Sequence, residues 1–242
     1  MPFFRPGAAT TARVSYKSSN SPVTEADFAA DAAIRRAVAA TLPDCVVFSE
    51  EAAGGEARFS GRRVIVVDPI DGTRAFMQGR DEWCIALALM ENDRPVAGVI
   101  HAPARGELFA AARGAGASLN GRALPRRGMP EMPLRVSGPN RLVDTLTEHW
   151  PPLKDGETLR ALAYRLVSVA AGRHDIAVAT TGAHDWDIAA ADLILAECGC
   201  TLVTLTGERP VYNARDPVHP PLLTAPAVLA PMLLARLEAV DH

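Results

Sequence analysis

The chain lacks a long hydrophobic run, a strong net charge and a paired-cysteine motif, and each absence removes a class of protein. The longest apolar stretch lies around Cys84 to Met90, well short of the ~18 residues that indicate a membrane span. Lipid is therefore not an expected partner. Net charge is −3 over 242 residues, so there is no basic footprint for nucleic acid or for an anionic membrane surface. The start, Met1-Pro-Phe-Phe-Arg-Pro-Gly7, has neither the apolar segment nor the cleavage pattern of a secretion signal. A cytoplasmic location is expected. The four cysteines, Cys45, Cys84, Cys198 and Cys200, include no C-x₂-C pair and are read as reduced and mostly buried. Internal repeats and low-complexity segments are also lacking.

What is present is an ordinary globular composition, 48% hydrophobic and 22% charged, organised around the stretch Val64 to Thr73. Val64-Ile-Val-Val67 suits a short, fully buried strand, which is expected to stop at Pro69 because proline cannot donate to the ladder. Asp68 and Asp71 then leave the strand end through a turn. With the Ile70 carbonyl they can aim oxygen ligands at a hard cation such as Mg²⁺. Gly72 and Thr73 follow; a helix starting there would turn unpaired amides toward a phosphate.

Around this stretch the pattern predicts an α/β chain in two halves, 1–130 and 131–242, joined at the proline-rich segment from Pro125 to Pro133. A helix is expected from Ser21-Pro22 through Ala39. Its polar-to-apolar stripe begins at Asp27, which either points into a site or completes a capping box with Thr24. Val46 to Phe48 reads as a strand that brings Glu50 beside Asp68 if the two strands pair, by way of a loop at Gly54-Gly55. Trp83–Met90, Val96–His101 and Glu107–Ala112 read as an antiparallel meander. In the second half, Leu134–Val136 and Asp175–Ala179 read as strands, and Arg141–His149 and Arg160–Ala171 as helices. A further helix is expected from about Asp187, burying one face through Ala190, Ala191, Ile194, Leu195 and Cys198, and a closing helix from Ala227 to Val240.

Ser49-Glu50-Glu51, Asp68-Pro-Ile-Asp71-Gly-Thr73 and Trp186-Asp187-Ile-Ala-Ala190, in that order, resemble the inositol monophosphatase family. Lys17-Ser-Ser-Asn-Ser-Pro-Val-Thr24-Glu-Ala-Asp27 is similar to the family's leading element. The resemblance implies a layered α-β-α-β-α sandwich of the inositol monophosphatase and fructose-1,6-bisphosphatase type, usually a homodimer. It implies a lithium-sensitive phosphomonoesterase using roughly two or three Mg²⁺ ions on a small phosphorylated metabolite. Carried over by motif, Glu50, Asp68 and the Ile70 carbonyl hold one ion, and Asp68, Asp71 and Asp187 a second. Thr73, with Glu50 and Asp27, orients the attacking water, and the Gly72 and Thr73 amides bind the phosphate.

Trp186 is read as packing before Asp187. Thr180, His184 and Asp185 are placed on the substrate side. Thr180 stands where inositol phosphatases tend to carry a glutamate, which leaves the substrate open. Asp71-Gly-Thr-Arg-Ala-Phe76 is also similar to histidinol-phosphate phosphatases, and Ser21-Pro-Val-Thr-Glu-Ala-Asp27 with Ala86-Leu-Ala-Leu to Ala102-Pro103 is similar to 3'(2'),5'-bisphosphate nucleotidases; a catalytically silent binding member of the family is the non-enzymatic rival.

Overall fold

In the computed structural model, which describes residues 2–17, 20–52, 56–60 and 63–238, a short ribbon of β1 (Val14–Tyr16) and β2 (Pro22–Thr24) leads into α1 (Glu25–Thr41). The helix starts later than Ser21, since Pro22–Thr24 stays extended to pair with β1 and Thr24 becomes the N-cap. Then follow β3 (Val46–Ser49), α2 (Ala57–Ser60), β4 (Arg63–Asp71) and α3 (Thr73–Met77). The meander comes next: β5 (Cys84–Glu91), β6 (Arg94–Ala102), β7 (Glu107–Ala112), β8 (Ala117–Leu119) and β9 (Arg122–Ala123). These strands form one seven-stranded sheet in the order β3-β4-β5-β6-β7-β8-β9, antiparallel except for the parallel β3–β4 pair. The Gly54-Gly55 loop lies outside the described residues.

The second half supplies β10 (Leu134–Ser137), α4 (Asn140–Thr147), β11 (Leu153–Asp155), α5 (Leu162–Ala170) and β12 (Ile176–Ala179). It continues with β13 (Ala183–His184), α6 (Asp185–Glu197), β14 (Cys200–Thr204), β15 (Val218–His219), β16 (Leu222–Pro226) and α7 (Ala230–Glu238). A five-stranded mixed sheet runs β11-β10-β12-β16-β14, and β13 pairs with β15. The closing helix begins at Ala230, and the end expected for it, at Val240, falls outside the described residues.

Burial orders these pieces into layers. Val38 of α1 packs on Ile65 and Val67, one face of β4. Val64 and Val66, on the other face, join a core with Leu166 of α5 and Ile194 of α6 that continues to Ala177 of the second sheet. Leu146 of α4 and Leu233 of α7 cover that sheet's far side, against Val136 and Ile176. The architecture is thus α-β-α-β-α, as the resemblance implied. Among the described residues, no helix is long and apolar enough to cross a membrane.

Two local expectations are corrected, each for a physical reason. The strand does not stop at Pro69: β4 continues to Asp71, and its register with β5 shifts between Asp68 and Asp71. That irregularity takes Pro69 and Ile70 out of the ladder, so the missing N–H costs nothing. Nor does α6 bury one face only; Ile188, Ala189 and Leu193 are buried as well, because a middle-layer helix meets protein on most of its sides. Its approach is close enough that a Cβ on Gly98 of β6 would stand 3.1 Å from the Ala190 carbonyl oxygen.

Candidate metal centre

The site forms where β3 and β4 end together. Ser49 pairs with Val67 in parallel register, and the Glu50 amide donates to the Val67 carbonyl at 3.1 Å, so Glu50 leaves the sheet beside Asp68. The β4 irregularity redirects the chain, with the Ile70 amide donating to Asp68 Oδ1 at 3.0 Å. Gly72 then turns the backbone at φ +88°, and α3 begins at Thr73. A Cβ on Gly72 would lie 3.1 Å from both the Ala161 Cβ and the Glu82 carbonyl oxygen; only glycine fits this turn without strain.

Asp187 reaches the same point from α6. That helix starts at Asp185, two residues earlier than expected, because His184 serves as N-cap and the Asp187 carboxylate accepts the His184 amide at 2.6 Å. One carboxylate oxygen each from Asp68, Asp71 and Asp187 lies within 4.8 Å of the others. Asp68 and Asp71 are buried and Asp187 is half-buried. Burial, with the charges of Glu50 and Asp71 adding to it, pushes the Asp68 carboxyl well above the usual range. Burial and the charge of Asp187 push Asp71 up to about 7, against the opposing pull of two amide hydrogen bonds. Carboxyls held this way have a strong electrostatic demand for a cation, and an all-oxygen donor set suits Mg²⁺. The residues present fit such an ion.

Asp71 has a second task. Its two oxygens accept the amides of Leu162 at 3.0 Å and Ala163 at 2.6 Å, the first turn of α5. Asp27 is likewise divided. Oδ2 accepts the Thr24 amide at 2.8 Å and hydroxyl at 2.6 Å, completing the capping box, while Oδ1 lies 3.3 Å from the Thr73 hydroxyl. Capping and site contact are therefore simultaneous. The Thr73 hydroxyl also lies 3.1 Å from the Ile70 carbonyl.

Glu50 stands next to the triad, with its carboxylate held by Lys17 Nζ at 2.8 Å; the same ammonium binds Glu51 at 2.9 Å. On the substrate side, Thr180 is exposed at the end of β12 and His184 is half-buried, its ring stacked on Trp186 at 4.5 Å. Trp186 in turn packs edge-on against Phe48 at 5.2 Å. Asp185 faces the other way: it is 1% exposed and accepts the Asn213 amide at 2.8 Å, with His219 Nε2 also at 2.8 Å. Its carboxylate is consumed by the protein and braces the start of α6. Beyond the carboxylates lies a cleft of about 640 Å³ lined by Glu50, Gly72, Thr73, Arg74, Pro139 and Arg160, among others. Sequence reasoning passed over both arginines; a lone Arg in a loop or after a motif carries no local signal.

Fold and site together define a metal-dependent phosphoric monoester hydrolase built as a five-layer sandwich. The chain belongs to the inositol monophosphatase family, whose sequence model matches residues 4–242. It is 36% identical over 211 residues to a histidinol-phosphatase of Mycobacterium tuberculosis, covering 81% of this chain and 78% of that protein. It is 32% identical over 211 residues to the Nus factor SuhB of Pasteurella multocida, covering 79% and 74%. The solved structure of a Thermotoga maritima IMPase superposes with a TM-score of 0.82 at 26% identity, covering 95% of this chain and 88% of that one.

Proposed function

We propose that the chain is a Mg²⁺-dependent, lithium-sensitive phosphomonoesterase that hydrolyses a small phosphorylated metabolite by direct attack of water. The convergence of Asp68, Asp71 and Asp187 oxygens within 4.8 Å, next to a cleft that Glu50, Gly72 and Thr73 line, carries this reading. Glu50, Asp68 and the Ile70 carbonyl would hold one ion, and Asp68, Asp71 and Asp187 a second. When bound, Mg²⁺ supplies polarisation of the phosphoryl group, acidification of water and charge neutralisation for the leaving oxygen.

The chain's own groups do the rest. The Thr73 hydroxyl has one proton, and Asp27 Oδ1 and the Ile70 carbonyl both lie in reach of it, so the oxygen lone pairs remain free to accept from a water molecule. Asp27 is fixed by its cap bonds, so this pair orients the nucleophile with little reorganisation. Gly72 and Thr73, at the start of α3, supply amides to the phosphate. The family resemblance further supports a cytoplasmic homodimer, to be tested by light scattering against the 25.7 kDa chain mass.

The test is phosphate release from inositol 1-phosphate, histidinol phosphate, adenosine 3',5'-bisphosphate and fructose 1,6-bisphosphate. Release with Mg²⁺, suppressed by EDTA, by lithium and by Asp68→Asn, is expected. Full activity after chelation would overturn the proposal.

A further inference from the structure

The cleft beyond the carboxylates has a charge pattern of its own. Arg74 directly follows Thr73, and Arg160 stands one residue before Ala161, the N-cap of α5; both line the same cleft as Glu50, Gly72 and Thr73. Among the described lining residues, Glu50 is the only acid, and Lys17 Nζ holds its carboxylate at 2.8 Å. Arg74 is exposed and makes no ion pair among the described residues. Arg160 is anchored from behind: its Nε lies 3.5 Å from Glu82 Oε1, and the same atom lies 2.6 Å from Arg80 Nε. The Glu82 side chain is only 4% exposed, so it is a fixed post. One carboxylate shared by two guanidinium groups leaves one positive charge over, and a guanidinium approached at Nε keeps its terminal N–H groups available.

With the reacting phosphate on the Gly72 and Thr73 amides, as proposed above, the leaving group extends into the cleft that these residues share with Arg74 and Arg160. A leaving group bearing an ammonium or imidazolium would meet like charge there. A neutral polyol would find two forks of donors and no unpaired carboxylate acceptor. A phosphate or carboxylate fits, because a planar guanidinium matches both with two parallel hydrogen bonds.

We infer that the cleft selects phosphate esters whose leaving group carries a second anionic group, held by Arg74 and Arg160. This rests on the phosphomonoesterase reading, and the experiment separates the two. Initial rates of the full-length protein with Mg²⁺ are measured on adenosine 3',5'-bisphosphate, 3-phosphoglycerate, inositol 1-phosphate and phosphoethanolamine, whose second groups are phosphate, carboxylate, neutral and cationic.

In the wild type, kcat/KM for at least one of the two anionic probes should exceed that for inositol 1-phosphate about tenfold or more. Phosphoethanolamine should be poorest. Whichever anionic probe leads identifies the second group as phosphate or carboxylate. In Arg74→Gln and Arg160→Gln the anionic-to-neutral ratio should fall by about tenfold in each, while the Tm rise on adding Mg²⁺ persists and shows the folded metal site.

A wild-type ratio of one or below overturns the inference and leaves the phosphatase intact. So does a ratio unmoved in both variants because all rates drop together, which would place the arginines on the reacting phosphate. No Mg²⁺-dependent release from any probe overturns the phosphatase reading itself.

Discussion

Asp68 and Asp71 carry the same charge three residues apart, yet replacing each by asparagine should affect the metal-free protein in different directions. Asp71 accepts two amides at the start of α5, at 3.0 and 2.6 Å, and that helix has no side-chain cap of its own, its N-cap being Ala161. Asparagine offers one acceptor oxygen and turns a donor toward the remaining N–H. One charge-assisted bond, worth about 1.5–3 kcal/mol, is lost, and relief of repulsion from Asp187 offsets part of it. A net loss of ~1–3 kcal/mol corresponds to roughly 2–12 °C in Tm for a chain of this size.

Asp68 accepts a single amide, from Ile70 at 3.0 Å, which an asparagine oxygen can keep. Its ionised form is disfavoured by burial and by Glu50 and Asp71, so Asp68→Asn should leave Tm unchanged or raise it. Thermal melts in EDTA at pH 8 make the comparison. Near pH 5.5 the gap should shrink, because Asp71, at about 7, is then itself protonated and resembles the amide. Equal Tm losses for the two variants at pH 8, or a larger loss for Asp68→Asn, would refute the assignment of Asp71 as the cap of α5.

Raised carboxyls also set the pH dependence. The folded, metal-free chain keeps protons on Asp68 and Asp71 that the unfolded chain releases near pH 4. Stability in EDTA should therefore be highest near pH 5 and decline toward pH 8, by ~1.4 kcal/mol per pH unit for each proton held. Mg²⁺ must displace those protons, so its apparent affinity, measured by calorimetry, should rise over the same interval. Thr73→Ala should lower kcat by about 100-fold or more with a small change in Tm, which steady-state kinetics and a melt would show together. Gly72→Ala places a Cβ 3.1 Å from Ala161 Cβ and the Glu82 carbonyl at φ +88°. Left-handed strain of ~1–2 kcal/mol and overpacking of ~1–3 kcal/mol should appear in urea unfolding, and a variant as stable as the wild type would count against the tight turn.

What the sequence made legible was the part written in short-range pattern. The β-branched run at Val64–Val67, the Thr24–Asp27 cap and the alternating strands of the meander all depend on neighbours within one turn or one strand. The family motifs extended that reading to Glu50 and Asp187. Contacts made across the chain left no such trace. The Asp71–Ala163 bond joins residues 92 apart, and Asp71 alone looks like a turn aspartate. Asp185 looked like a substrate-side loop residue because its partner, His219, is 34 residues away on β15. β14 and β16 went unread for the same reason: short threonine-containing runs become strands here by pairing with each other. Arg160 lines the cleft just ahead of α5, whose first turn is held by Asp71.

Those long-range contacts also explain how an acidic cluster survives folding. Asp27 and Asp187 are each the third residue of a helix, α1 and α6, and Asp71 sits against the start of α5. A helix N-terminus presents roughly half a positive charge with unpaired amides. Three such ends therefore converge on the carboxylates and offset part of their repulsion before any cation binds. The helices come from two different layers, α1 from the outer one and α5 and α6 from the middle one. The charge balance thus exists only when both layers are docked on β4. Removing one helix start should weaken the whole ligand set, including Asp68, which none of the three helices carries.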